Sequence, residues 1–263
     1  MTDETTISVL RRHVGLLDPP RIQKSITELQ PLGPEKIDGL IAALSHTDPD
    51  LRLLAIEILT ELDPIEASLP ALVSALEDPD RIVRIASVEP VARFGKKACA
   101  AIPILESWLG DEWEYVRIAA AVAIGKIDPR KIPEVMPVLL DGLKSEVHLD
   151  QLNAVAALGD LGETGSEALP MLGKMLNDRN AVTRLEAAST ISKITGEPML
   201  EITVAVALLR ADDWLDRYVA AEHLGCLEAV AAPALPHLHR ALSDEDVAVR
   251  TAVRVAIERI EGA

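Results

Sequence analysis

The chain has 263 residues and a formal net charge of −16, from 42 acidic against 26 basic side chains. A surface of this sign repels phosphate backbones, which argues against nucleic acid and favours cationic partners. Hydrophobic residues make up 49% of the sequence but aromatic residues only 2%, so the core must be built from Ala, Leu, Ile and Val. Such side chains suit closely spaced helices better than a sheet sandwich.

The N-terminal segment Met1–Thr6 is acidic and has neither the basic nor the apolar part of a secretory signal. No run of about 18 apolar residues could span a bilayer. The two cysteines, Cys99 and Cys226, are too few for a disulfide framework. We therefore expect a cytoplasmic protein that does not associate with a membrane.

In chain order, the first predicted element is a divergent pair of helices, with residues 7–14 in the first helix and Ser25 and Leu29 in the second. From there on, one column of residues recurs at steps of 32 to 34 positions. The column consists of Arg52, Arg84, Arg117, Gln151, Arg184, Arg217 and Arg250. A period of this length indicates stacked supersecondary units.

Around each column residue the pattern predicts a helix, because positions +3, +7 and +10 are small or aliphatic and form one stripe of an α-helix. A second helix precedes it and is expected to begin at a proline, which the first turn of a helix tolerates. These prolines are Pro70, Pro103, Pro137, Pro170 and Pro236. Short acidic turns join the two helices, and Gly33, Gly95, Gly162 and Gly196 are expected to cap helix C-termini.

We therefore predict an all-α fold, a right-handed α-solenoid of about eight stacked helical hairpins. The hairpins form a single domain, 1–263, with approximate units 5–33, 34–66, 67–99, 100–133, 134–166, 167–199, 200–232 and 233–263. Pro90 lies in the interior of one predicted second helix and should kink it, because proline removes a backbone hydrogen bond there.

Three segments, 117–127, 152–162 and 217–225, resemble HEAT repeats of the short bacterial type that also occurs in phycobilisome lyases. The resemblance covers nearly the whole chain and weakens before about residue 35. It implies that the second helices of the hairpins line a concave groove. Its functional meaning is open, because that family includes scaffolds, lyase subunits, a hydroxylase and DNA glycosylases.

The arginine column has two interpretations. In the first, the arginines form a row of positive charges that binds an anionic ligand. In the second, each arginine pairs with the acidic turn a few residues before it, as Arg84 would with Asp78 or Asp80. Local pairing is favoured, since bidentate arginine–carboxylate geometry suits such turns.

Positions +2, +5 and +9 of the second helices lie opposite the apolar stripe and should form the groove. The candidate partner-binding residues there are Glu57, Glu89, Arg93, Ala119, Val122, Lys126, Ala156 and Glu222. The small apolar side chains among them suit a partner helix or an extended peptide. The alternative is an ordinary solvated face.

Four aromatic residues, Trp113, Tyr115, Trp214 and Tyr218, lie in or beside the turns within hairpins. Aromatic side chains at a turn edge act as anchors for a partner, or they pack onto the neighbouring turn. Trp113 and Trp214 are therefore further candidate partner-binding residues.

No catalytic constellation is visible, and neither a cofactor nor a metal is expected. Deoxyhypusine hydroxylases, which are built on similar repeats, hold iron with His-Glu dipeptides, and none of the six histidines here precedes a glutamate. We predict a non-enzymatic scaffold that binds a protein or peptide in its groove. The alternative is a phycobilisome-lyase-like subunit that assists tetrapyrrole attachment to a partner protein.

Overall fold

The computed structural model describes residues 6–8, 10, 19–29 and 33–262, and within these ranges every regular element is a helix. The chain divides into two compact units, an N-terminal unit, Met1–Val138, and a C-terminal unit, Leu139–Ala263. No helix of the described ranges is long and apolar enough to cross a membrane. The predicted all-α class is confirmed. The assignment of all eight hairpins to one domain stays a prediction.

In the N-terminal unit, successive helices pair across short turns. The helices are α1 (Pro19–Leu29), α2 (Pro34–Ala43), α3 (Pro49–Glu61), α4 (Leu69–Ala75), α5 (Arg81–Ala86), α6 (Val88–Ala92), α7 (Ile102–Trp108) and α8 (Glu114–Ile127). Short 3₁₀ segments, Glu66–Ser68, Gly95–Ala101 and Pro129–Lys131, connect one hairpin to the next. The second helices of the hairpins are α3, the pair α5 and α6, and α8.

The boundary between the units falls within α9 (Ile132–Gly142). The C-terminal unit then contains α10 (His148–Asp160), α11 (Leu169–Met175), α12 (Ala181–Thr195), α13 (Met199–Leu208), α14 (Trp214–Cys226), α15 (Leu235–Ala241) and α16 (Val247–Glu261). The 3₁₀ segments Gly162–Ala168 and Glu228–Ala234 connect hairpins here. Its second helices are α10, α12, α14 and α16.

The acidic turns start the second helices by capping them. Asp80 Oδ1 accepts hydrogen bonds from the backbone N–H groups of Ile82 at 2.8 Å and Val83 at 3.2 Å. Asp48, Asn180, Asp213 and Asp246 cap their helices in the same way. Such a cap satisfies N–H groups that have no partner within the helix.

The glycines differ in their roles. Gly196 ends α12 in the left-handed conformation at φ 73°, as predicted for a C-cap. Gly33 precedes α2 with an extended backbone, so its predicted role as a C-cap is wrong. Its φ of −78° is open to any residue, and it lies at the start of a helix that Pro34 opens.

The proline predictions are confirmed with one exception. Pro70, Pro103, Pro170 and Pro236 lie in the first turn of their helices. Pro137 instead lies inside α9, because that helix already begins at Ile132. Pro90 has the predicted effect, since the second helix of its hairpin is interrupted at Ser87 between α5 and α6.

In both units, side chains at the predicted positions +3, +7 and +10 of the second helices lie in the core. In α8 the side chains of Ala120, Ile124 and Ile127 are 0% to 1% exposed. In the C-terminal unit Ala220 and Leu224 of α14 and Val253 of α16 are fully buried in one cluster. Burial of each Leu or Ile side chain contributes roughly 1.5–3 kcal/mol. The alanines let neighbouring helices come close together.

The arginine column binds the turn that precedes each second helix through the backbone. Nη1 of Arg84 donates to the carbonyls of Asp78 at 2.7 Å and Pro79 at 3.2 Å. The same two bonds, to the carbonyls six and five residues earlier, are made by Arg52, Arg117, Arg184, Arg217 and Arg250. Gln151 is shorter and reaches a different carbonyl, that of Leu143.

For Arg52 and Arg217 the carboxylate partner comes from the next hairpin, whereas Arg117 pairs with Glu114 of its own helix at 3.7 Å. Nε and Nη2 of Arg52 each donate to an oxygen of Asp78 at 2.7 Å, and Arg217 binds Asp244 in the same bidentate way. The predicted pairing of Arg84 with the carboxylate of Asp78 is therefore wrong. The reason is geometric: Arg84 already uses the backbone carbonyl of Asp78, and the carboxylate points to Arg52.

We expect Asp244→Asn to lower the free energy of unfolding by about 2 kcal/mol near neutral pH, because it weakens a buried charge-assisted pair. Hydrogen bonds from Arg217 hold the pKa of Asp244 below its ordinary value of 3.8. A carboxyl whose pKa is lower in the folded state stabilises the fold above its unfolded pKa, and this contribution disappears as the pH falls through the folded pKa. Urea unfolding followed by circular dichroism should therefore show the variant and wild type converging in acid.

Asp178→Asn is the matched control. Asp178 occupies the same turn position as Asp244 and accepts the same bond from the N–H two residues later. The corresponding column residue of the preceding hairpin is Gln151, which bonds elsewhere. Equal losses in the two variants would show that the turn, and not the arginine pair, carries the stabilisation.

Gly225 allows α14 and α16 to pack closely. A Cβ at this position would lie 3.0 Å from Cα and 3.2 Å from Cβ of Ala256. We expect Gly225→Val to destabilise the C-terminal unit by about 2 kcal/mol through overpacking. Gly173→Val is the control, because nothing lies within 4 Å of a Cβ there. Thermal unfolding that changes equally in both variants would contradict this role of Gly225.

Candidate functional site

The groove face is defined here as positions +2, +5 and +9 of the second helices. In the N-terminal unit Glu57 is half-buried, Glu89 is exposed, and Ala119 and Val122 are partly exposed. Arg93 and Lys126 are exposed as well. The predicted residues of this unit are thus on an accessible face, distributed over α3, α6 and the segment after it, and α8.

Three carboxylates lie together on this face. Burial raises the pKa of Glu57, and the neighbouring carboxylates of Glu89 and Glu61 raise it further. Glu89 belongs to the next hairpin, so the like charges lie across two second helices. No basic side chain forms an ion pair with these three residues within the described part of the chain. The ionised state of Glu57 is therefore disfavoured in the folded protein.

Arg93 has a structural contact in addition to its place on the groove face. Its Nη1 donates to the carbonyl of Thr60 and, at 3.0 Å, to that of Leu62. These carbonyls lie at the C-terminal end of α3, where a cation is favourable. Arg93 therefore links its own hairpin to the preceding one.

In the C-terminal unit the groove face contains a pocket between α14 and α16 with a volume of about 300 Å³. Its walls include Glu222 of the predicted set, together with Tyr218, Val255 and Arg259. The Tyr218 hydroxyl donates to Glu222 Oε1 at 2.7 Å, and this bond raises the pKa of Tyr218. Ala156 is exposed on α10 and is not part of the pocket wall.

The two candidate tryptophans lie at turns. The guanidinium of Arg81 stacks on Trp113 with its carbon 3.2 Å from the ring centroid, and Arg81 also pairs with Asp111 at 2.9 Å. The Trp214 ring meets Tyr218 edge to face at 6.5 Å. Trp113 and Trp214 nevertheless remain 52% and 47% exposed. Each packs on a neighbour and still presents about half of its surface to solvent.

One polar network was not predicted from the sequence. Glu201 is only 5% exposed, and its Oε1 lies 2.7 Å from Nε2 of His223. Burial by itself would raise the pKa of Glu201, but hydrogen bonds from His223 and Ser189 outweigh burial and leave the pKa lowered. Three different helices contribute these residues, and only the packing brings them together. Because serine and histidine both bond the same carboxylate, the network is not a nucleophile–base pair.

Within the part of the chain that the structure describes, no group of three or more His, Cys, Asp or Glu side chains is arranged to hold a metal ion. Cys99 and Cys226 are exposed free thiols. The site therefore consists of an accessible face with acidic, apolar and basic positions on helices that are held in register by the arginine contacts.

Comparison with known proteins shows what the chain is similar to. The profile of the HEAT repeat family matches residues 37–125. This match covers less than half of the chain, so the likeness to HEAT repeats holds for that segment. Two solved structures share its fold. The complex of CpcE and CpcF of phycocyanin lyase from Nostoc sp. PCC7120 has a TM-score of 0.55 at 22% identity, covering 84% of this chain and 94% of that one. YibA of Escherichia coli has a TM-score of 0.53 at 22% identity, covering 100% and 93%.

Two curated proteins resemble the chain in sequence. Deoxyhypusine hydroxylase of Cryptococcus neoformans is 26% identical over 221 residues, which cover 73% of this chain and 60% of the hydroxylase. The uncharacterized protein SkfG of Bacillus subtilis is 34% identical over 90 residues, covering 34% and 51%. The match thus spans between one half and two thirds of these relatives' lengths. The predicted resemblance to HEAT repeats is confirmed for residues 37–125, and the solved structures support an all-α repeat fold alone.

Glu57→Gln should make the protein more stable near neutral pH. A carboxyl whose pKa is raised in the folded state stabilises the fold below its unfolded pKa, and that stability is lost as the pH rises through the folded pKa. The difference between variant and wild type should therefore shrink toward the ordinary pKa of 4.5. Urea unfolding as a function of pH measures it. Glu163→Gln, at an exposed glutamate in a connecting segment, should show no such gain.

Proposed function

We propose that the chain is a non-enzymatic scaffold that binds a protein or peptide through the groove face of its second helices. The observation that carries the proposal is the set of Glu57, Glu61 and Glu89, which lie together although burial, and then the repulsion from Glu89 and Glu61, disfavours ionised Glu57. A feature that costs stability without improving the fold is typical of residues retained for function. A cationic side chain of a partner would offset this repulsion.

The neighbouring positions of the N-terminal unit support a peptide or helix as the ligand. Ala119 and Val122 of α8 are small, apolar and partly exposed, and Lys126 follows them one turn later. Small side chains leave room for a partner's backbone, and the charges around them restrict its orientation. The expected partner has basic and apolar side chains on one face.

The pocket of the C-terminal unit supports the same proposal independently. It combines an apolar wall from Val255 and Ala252 with an acidic residue, Glu222, and a basic residue, Arg259. A site with apolar walls and a few polar groups suits one side chain of a partner. The two units therefore each offer their own groove face, and each is proposed as a binding surface by itself.

The hydroxylase relative does not support an enzymatic proposal. The match covers 60% of that protein, and the His-Glu dipeptides that the resemblance requires are missing from all six histidine positions. The second candidate function remains a lyase-like subunit that assists tetrapyrrole attachment, and it rests on the likeness to the phycocyanin lyase complex. Bilin absorbance recorded after mixing the chain with chromophore distinguishes it from a scaffold.

The test of the scaffold is charge reversal at the carboxylate cluster. We expect Glu57→Lys with Glu89→Lys to abolish most capture of the partner from native lysate, because the repulsion that favoured a cationic ligand becomes repulsion against it. Affinity capture with quantitative mass spectrometry, done in parallel with wild type, measures the loss. Circular dichroism and thermal unfolding confirm that the variant remains folded.

The control reverses the same number of charges elsewhere. Glu163→Lys with Glu167→Lys changes two exposed glutamates in the connecting segment Gly162–Ala168 and gives the same net charge. Capture should be retained in this control. If both double variants capture the same proteins as wild type, the groove face of the N-terminal unit is not the binding surface.

A further inference from the structure

The exposed apolar side chains of the described residues are concentrated at one position of the repeat. Eleven large hydrophobic side chains are exposed, and eight of them lie two to four residues before the arginine column. These eight are Ile82, Trp113, Tyr115, Val147, Leu149, Trp214, Leu215 and Val247. The other three, Met199, Val230 and Val255, lie elsewhere in the C-terminal unit. Scattered exposed hydrophobics are ordinary, but a set that recurs at one structural position marks an interaction surface.

We call the four turn segments of the C-terminal unit, 144–150, 177–183, 210–216 and 243–249, the turn ridge. Contacts join each turn to the next along it. His148 Nε2 lies 3.3 Å from Asn180 Nδ2, Arg184 reaches Asp216 at 3.5 Å, and Arg217 binds Asp244 at 2.8 Å. The ridge is therefore continuous across the unit.

The ridge is also held in a fixed conformation. In three of the four turns the column arginine binds two backbone carbonyls, and side chains of Asn180, Asp213 and Asp246 cap the helices that follow. An apolar surface fixed before binding loses little conformational entropy when a partner arrives. Leu149 and Val247 are each 66% exposed, and Leu215 is 48% exposed, so burial by a partner would remove substantial apolar area from water.

The charges of the ridge indicate the sign of the partner. Its four segments contain nine acidic and three basic side chains. Glu245, whose side chain is 88% exposed, and the exposed Glu146 and Asp212 flank the apolar positions. Such a surface repels an anionic membrane and a second copy of the same ridge, and it attracts Lys and Arg.

We propose that the turn ridge binds a cationic amphipathic helix, which places its apolar face on Leu149, Leu215 and Val247 and its basic residues on the flanking carboxylates. Neighbouring packed helices are about 10 Å apart, and positions i and i+7 of a helix are separated by about the same distance. One heptad of the partner thus matches one step of the ridge. The inference rests on the proposed protein-binding function and concerns the turns, although at Val247 the ridge adjoins the pocket of the groove face.

The probe is a fluorescein-labelled helical peptide of about 18 residues with a Leu face flanked by Lys, measured by fluorescence anisotropy against the full chain. Two companion peptides replace every Lys by Glu or every Leu by Gln. The ridge variant combines Leu149→Ser and Leu215→Ser, neither of which lines the groove pocket. The control variant combines Met199→Ser and Val230→Ser, which removes the same number of exposed hydrophobics outside both the ridge and the pocket.

We expect the ridge variant to bind the Leu–Lys peptide at least about tenfold more weakly than wild type, and the control variant to stay within about twofold. Both companion peptides should bind wild type at least about tenfold more weakly than the Leu–Lys peptide. Exposed substitutions of this kind have small effects on folding, which thermal unfolding checks.

Three results would overturn the inference. They are no binding of the Leu–Lys peptide to wild type, unchanged binding by the ridge variant, and loss of binding in the control variant. A dimer of wild type that dissociates in the ridge variant during sedimentation would assign the surface to a second copy of the chain instead. The groove proposal fails separately, through unchanged capture by the Glu57→Lys, Glu89→Lys variant.

Discussion

The contact between each column arginine and the turn before its helix is the interaction on which this repeat depends. A hairpin of two short helices leaves backbone carbonyls without partners where the first helix ends. The guanidinium of the arginine near the start of the second helix donates hydrogen bonds to two carbonyls of the turn. These bonds hold the two helices of the hairpin together. At Arg52 and Arg217 the same group also binds an aspartate of the next hairpin. Burial of these charges is tolerated because nearly every donor has an acceptor.

This arrangement separates the residues that make the fold from those available for binding. The arginines, caps and buried alanines fix the turns and the spacing of the helices. The groove positions vary from hairpin to hairpin, and among them Arg93 also links two hairpins. Two surfaces result. On the groove face the like charges of Glu57, Glu61 and Glu89 repel one another. The turn ridge presents apolar side chains on turns whose conformation is fixed by hydrogen bonds.

The same separation explains why the relatives agree in fold and not in function. Structural matches at 22% identity preserve the hairpin and its stacking, which many sequences satisfy through small and aliphatic side chains. Metal-binding dipeptides, groove charges and exposed turn residues lie outside those positions. The shared repeat fold therefore does not indicate the ligand, and the ligand has to be inferred from the individual surfaces.

The sequence by itself determined the repeat period, the buried stripe, the capping turns and the interruption at Pro90, since each depends on residues close together in the chain. Only the tertiary structure decided that the carboxylate of Asp78 accepts hydrogen bonds from Arg52 and that its carbonyl accepts one from Arg84. It also brought Ser189, Glu201 and His223 together and showed which apolar residues remain exposed on the ridge. These contacts depend on how successive hairpins pack against one another. The periodic pattern is the same in every hairpin, so it does not predict which neighbouring residue each side chain contacts.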